Sequence, residues 1–107
     1  MDCMIRLRNW WKSQCDGEWE HEFGIIIQTM DNPGWIVKID IGHTALDDQD
    51  MRVISERRSP SDWCECRISD GTAWGSNETH LRHFVGMGGP DNLTDIIEYF
   101  LLFAESA

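Results

Sequence analysis

The sequence predicts an α+β domain: an antiparallel sheet of about five strands, with an N-terminal and a C-terminal helix packed on one face. Three observations predict it. Apolar residues recur at three-four spacing at the two ends of the chain. Between them, short segments alternate apolar and polar residues with period two. Two of these segments flank Asp31-Asn32-Pro33-Gly34, where Pro presets one central φ and Gly supplies the next, as a tight turn requires. A sheet with one apolar face must be covered, and two amphipathic helices can cover it. At 107 residues the chain is one domain, 1–107, large enough to hold a core without staples.

The first helix is predicted from Asp2 to Cys15, with Cys3, Met4, Leu7, Trp10, Trp11 and Gln14 on its apolar face and Asp16-Gly17 as its stop. A strand follows from Glu18 to Met30. Its odd positions, Trp19, His21, Phe23, Ile25, Ile27 and Thr29, form the more apolar face and are expected to turn inward. Past the turn, Trp35 to Ile41 alternates cleanly and completes a hairpin. Gly42 to Asp50 reads as a loop, Met51 to Glu56 as a third strand and Arg57 to Ser61 as a turn containing Pro60. Asp62 to Ser69 is a fourth strand, with Cys64, Cys66 and Ile68 on one face and Trp63, Glu65 and Arg67 on the other. Asp70 to Thr79 is a polar loop carrying Trp74, and His80 to Met87 a short fifth strand ended by Gly88-Gly89-Pro90. The last helix runs from Asn92 to Glu105. Leu93, Ile96, Ile97, Phe100, Leu101 and Phe103 share its apolar face, Leu102 broadens that face, and Asp91 or Asn92 caps its start.

Nineteen acidic residues against nine basic ones give a formal net charge of −10. The basic residues are scattered, so no patch is available to displace counterions from a phosphate backbone, and nucleic acid is not an expected partner. A basic protein is favoured by charge, although acidity alone also serves solubility. No apolar run reaches membrane-spanning length. The first eight residues lack the basic and apolar regions of a signal peptide, and four cysteines without disulfide spacing suit a reducing compartment, so a cytoplasmic protein is expected. Monomer and homodimer both remain open.

The motifs offer little chemistry. Glu20-His21-Glu22 on a strand would send His21 away from both carboxylates, which leaves a general base without a partner. Cys64, Cys66, His80 and His83 could supply four zinc ligands, but their spacing matches no common zinc signature, and a buried Cys is an ordinary core residue. A small metal-binding protein or hydrolase built on His21 and that group is the alternative reading. Gly86, Gly88 and Gly89 lack the context and the Lys of a phosphate loop, and His43 stands alone in a loop. Trp63, flanked on its face by Glu65 and Arg67, is a candidate anchor for a protein partner, as is Trp74. Asp47, Asp48 and Asp50 form an acidic loop, either a solvated surface or a contact for a basic partner.

Trp11, Gln14-Cys15-Asp16-Gly17, Trp19-Glu20-His21, Gly24-Ile25, Thr29, Asp31-Asn32-Pro33-Gly34-Trp35, Ile39-Asp40 and Thr44, followed by the Trp63 strand and the Asn92-Leu93 helix start, form a pattern that resembles the immunity protein 53 family of bacterial polymorphic toxin systems. The resemblance is strongest over the first 45 residues. It implies an antitoxin that binds a cognate toxin domain and blocks it, with no catalysis and no cofactor. Much of the motif also has a structural explanation: the turn sets a hairpin, and Trp19 and Trp35 are expected to pack near each other or against the first helix. Glu20 and Asp40, on the outer face, are expected contacts, together with Asp47, Asp48, Trp63 and Glu65.

Overall fold

The computed structural model describes residues 2–69 and 82–106. Helix α1 spans Cys3–Gln14. The Asp2 carboxylate accepts the Met4 N–H at 3.0 Å and so satisfies one of the free donors at the helix start. Gly17, at φ 96°, lets the chain reverse after the helix. A four-residue helical turn, α2, follows at Trp19–Glu22, and then strands β1 (Ile25–Met30), β2 (Gly34–Asp40), β3 (Ile54–Ser59), β4 (Asp62–Ser69) and β5 (His83–Gly88). Helix α3, Leu93–Ser106, ends the described chain.

The five strands form one wholly antiparallel sheet in the order β1-β2-β5-β4-β3. Two local hairpins, β1–β2 and β3–β4, are therefore joined by the last strand, which pairs with both. Register decides the faces. Ile25 and Ile27, Val37 and Ile39, Phe84 and Gly86, Cys64 and Cys66, and Ile54 fall on one face, and α3 lies across it with Ile96, Ile97, Phe100, Leu101 and Phe103 buried. Gly86 makes that approach possible: a Cβ there would overlap Ile96 Cγ2. Helix α1 packs mainly on α3, which draws Trp10 edge-on to the Phe100 ring at 5.0 Å. Arg6 of α1 reaches Glu98 and Glu105 of α3.

The α+β sandwich is as predicted, and the fourth strand falls at its predicted bounds. Four local expectations differ. Glu18 to Met30 is not one strand, because Asp16 Oδ1 accepts the N–H groups of Glu18 and Trp19 and winds Trp19–Glu22 into a helical turn before the chain extends. The third strand lies further along, at Ile54–Ser59, so Arg57 and Arg58 belong to a strand rather than a turn; at a sheet edge their long side chains reach water. The apolar stripe of α1 is narrower than expected, since Cys3 and Leu7 are buried while Met4 and Trp11 are exposed, and Leu102 of α3 also faces outward. Gly88 continues the fifth strand instead of ending it, and the predicted start of that strand at His80 lies outside the described residues.

Candidate functional site

Alternation along the strands sets a second row of side chains on the face away from α3. Register places Ile26, Lys38, Val85 and Arg67 side by side, then Gln28, Ile36, Met87 and Glu65, with Asp40 beside His83 at one end and Trp63 beside Arg57 at the other. In this row Val85 and His83 are buried and Ile36 and Met87 half-buried, and the surround carries charge of both signs. Arg57 sits over the Trp63 ring at 5.2 Å from its centroid and pairs with Glu65 at 3.9 Å. Lys38 pairs with Asp40 at 3.5 Å. An apolar centre inside a polar rim is the usual anatomy of a protein-binding surface.

The end of the sheet that carries Asp40 is strongly acidic. Trp19 of α2 packs against Trp10 and donates its indole N–H to the Gly42 carbonyl at 3.0 Å, which fixes the loop after β2 against α2. That loop holds His43 at φ 61°, a left-handed conformation uncommon outside glycine, and the Asp47 carboxylate accepts the His43 N–H. Arg82 secures the other side of the loop through the Asp47 carbonyl and the Asp50 carboxylate. The Phe23 and His43 rings lie 5.4 Å apart, and together with Asp16, Glu18, Trp19 and Glu22 they line an open cleft. Among the described residues, no hydrogen bond or ion pair engages the carboxylates of Glu18 and Glu22.

The six contact residues predicted from sequence therefore do not form one patch. Asp47 and Asp48 are exposed at the acidic end. Trp63 and Glu65 lie together on the open face, well away from them in register. Glu20 is not on an outer strand face: it belongs to α2, and its carboxylate accepts the N–H groups of Asp16 and Gly17 at 2.9 and 2.8 Å. Backbone N–H groups hold that carboxyl below its ordinary value. Asp40 is on the open face, but its carboxylate also accepts the Gly24 N–H at 3.0 Å and so shapes the entry to β1. Sequence reading missed Glu18, Glu22 and Phe23. The Asp16-x-x-Trp19 spacing was the available signal, because Asp favours turn and cap positions. Trp35 does not pack with Trp19; its indole donates to the Pro90 carbonyl beside α3.

The alternative metal group does not assemble. Cys64 and Cys66 are buried on the face under α3 with their sulfurs 3.7 Å apart, while the register turns His83 to the opposite face. The hydrogen bond to Cys64, with burial, pushes the Cys66 thiol up. His21 is exposed on α2, and His80 and Trp74 lie outside the described residues. Among the described residues, no three His, Cys, Asp or Glu side chains are placed to hold a metal ion. No described helix is long and apolar enough to cross a membrane.

The acidic, aromatic-lined cleft and the second sheet face are features of a protein-binding surface. No curated protein and no solved structure matches it. The immunity protein 53 family matches residues 4–105, nearly the whole length, and the chain belongs to that family of immunity proteins.

Proposed function

We propose that this chain binds a cognate bacterial toxin domain in the cytoplasm and silences it stoichiometrically, and that the toxin is a basic nuclease whose active site the complex covers. The observation that carries this reading is the acidic end of the sheet, where Glu18 and Glu22, whose carboxylates no described residue engages, line the cleft with the Trp19, Phe23 and His43 rings, and where the loop holding His43 carries the exposed Asp47 and Asp48. A nuclease presents Lys and Arg to the phosphates of its substrate. Carboxylates meeting those groups form charge-assisted hydrogen bonds and deny them to nucleic acid. Cations also sit favourably against aromatic faces, which the cleft supplies. Trp63 and Glu65 extend the contact along the open face, and Trp63 is its aromatic anchor. Glu20 and Asp40 act mainly by holding α2 and the start of β1 in place, with Asp40 also bordering the contact.

The test is co-expression with the protein encoded beside this one, followed by binding of the purified pair across a salt series. Rescue from growth arrest and a tight complex that weakens steeply with salt are expected. Neutralising Glu18, Glu22, Asp47 and Asp48 together should cost at least about tenfold in affinity at low salt and much less at high salt. An affinity indifferent to both salt and these substitutions would sink the electrostatic mechanism.

A further inference from the structure

The two edges of the sheet are finished differently. The β3 edge, Ile54–Ser59, carries Glu56, Arg57 and Arg58, is broken by an irregularity between Arg57 and Ser59, and is followed by Pro60. Charge, a bulge and proline are the devices by which proteins keep an edge from pairing with a foreign strand. The β1 edge, Ile25–Met30, has none of them: its sequence is Ile-Ile-Ile-Gln-Thr-Met, and its register with β2 is unbroken over all six residues. A short, uncharged, β-prone segment without proline is what edge protection normally removes.

The outward groups of β1 follow from its register. The Gly24 carbonyl accepts the Asp40 N–H at 3.1 Å, so residues 24 and 40 form a bonded pair. Alternation along an antiparallel ladder makes Ile26, Gln28 and Met30 the next residues bonded to β2. The N–H and C=O groups of Ile25, Ile27 and Thr29 therefore point away from the sheet, and no described residue bonds them.

We propose that the β1 edge takes an extended segment of the toxin as a sixth strand, apolar at its centre and basic at its ends. This rests on the toxin-binding reading above and names the backbone that would carry it. Charge decides between a foreign strand and a second copy. A two-fold antiparallel β1–β1 pairing bonded through Ile25, Ile27 and Thr29 centres on Ile27. It sets Asp31 of one copy beside Phe23 and Glu22 of the other, at both ends, between two chains of net charge −10. Like charges so placed oppose pairing, whereas a basic-ended strand satisfies the same carboxylates. Added strands draw affinity from main-chain hydrogen bonds and specificity from alternate side chains, and Ile26, Gln28 and Met30 offer such positions on the open face.

The experiment is residue-resolved amide hydrogen exchange on the free chain and on its complex with the toxin domain encoded beside it, with sedimentation of the free chain alongside. In the complex, the Ile25, Ile27 and Thr29 amides should exchange at least about tenfold more slowly than in the free chain. Two variants test the same contact. Thr29→Pro removes one outward donor at an exposed edge position, and Ile26→Lys sets a cation beside the apolar centre of the added strand. Each should weaken binding about tenfold or more while the free chain's melting curve barely moves, and Val53→Lys beside the opposite edge should change it by less than about twofold. A tight complex in which the three amides exchange as in the free chain overturns the edge proposal and leaves the inhibitor reading standing. A free chain that sediments as a dimer with those amides protected also overturns it, giving the edge to a second copy. Absence of any complex overturns both readings.

Discussion

The two faces of the sheet are drawn from the same strands, one residue out of step, and they obey different rules. On the covered face, volume governs. Val37, Ile39, Phe84, Cys64 and Cys66 join the apolar residues of α3 in one buried cluster, and Gly86 leaves the room that Ile96 occupies. On the open face, charge governs. Lys38 with Asp40, and Arg57 with Trp63 and Glu65, surround a small apolar centre of Ile36, Val85 and Met87. The difference teaches that one period-two pattern can specify stability and recognition separately, so that changes to one face leave the other largely intact.

The sharpest way to break this comparison is at the ring where α3, α1 and the sheet converge. Phe100 touches Trp10, Phe84 and Phe103, so Phe100→Ala should cost about 3–5 kcal/mol, read as a fall in the denaturant midpoint. Gly86→Ala comes next. Its new methyl must push Ile96 and α3 off the sheet, and a loss of about 1–3 kcal/mol is expected by the same measurement. Tyr99 offers a smaller effect with a pH signature. Its hydroxyl donates to Glu56 at 2.6 Å, and that bond, aided by burial, pushes its pKa up to about 12. The folded state thus prefers the neutral phenol. The bond's contribution is complete below the unfolded value of about 10 and disappears as pH rises towards 12. Tyr99→Phe should cost about 1 kcal/mol at neutral pH and flatten the alkaline fall in stability, as measured by melts from pH 8 to 12. Smallest of all, Arg67→Ala on the open face should move stability by less than about 0.5 kcal/mol. If Arg67→Ala cost as much as Gly86→Ala, the independence of the two faces would be wrong.

Regular periodicity made most of the fold legible. The α3 face, the hairpin around Pro33-Gly34 and the alternation of Asp62–Ser69 each carry one uninterrupted signal, and each stands where it was predicted, although Gly34 opens β2 without the positive φ expected of it in the turn and instead makes room for the Gly88 carbonyl. Reading failed where two signals overlapped. Trp19, His21 and Phe23 continue the alternation of β1, yet the Asp16 and Glu20 carboxylates accept nearby backbone N–H groups and wind that stretch into a turn, and periodicity does not register such bonds. Arg57 and Arg58 looked like turn residues because an edge strand tolerates charge that a central strand does not. Asp91 or Asn92 was expected to cap α3, and Asn92 does stand directly before the helix with its carbonyl accepting the Ile96 N–H. Its buried side chain also accepts the Trp63 N–H and donates to Asp62 and Asp95, tying β4 to the helix, a long-range role invisible to local pattern. For the site, residue types were legible and grouping was not, because the six expected contacts reach the surface at separate places through the strand order.

That strand order also sets a timetable for the newborn chain. The first hairpin needs only residues up to Asp40, and the second closes with Ser69, but neither pairs with the other. Only when Gly88 has left the ribosome can β5 enter between them, and α3, which seals the core, follows later still. A nascent chain stopped short of that strand is two unjoined ribbons, so the sheet arises in a single event once β5 has emerged.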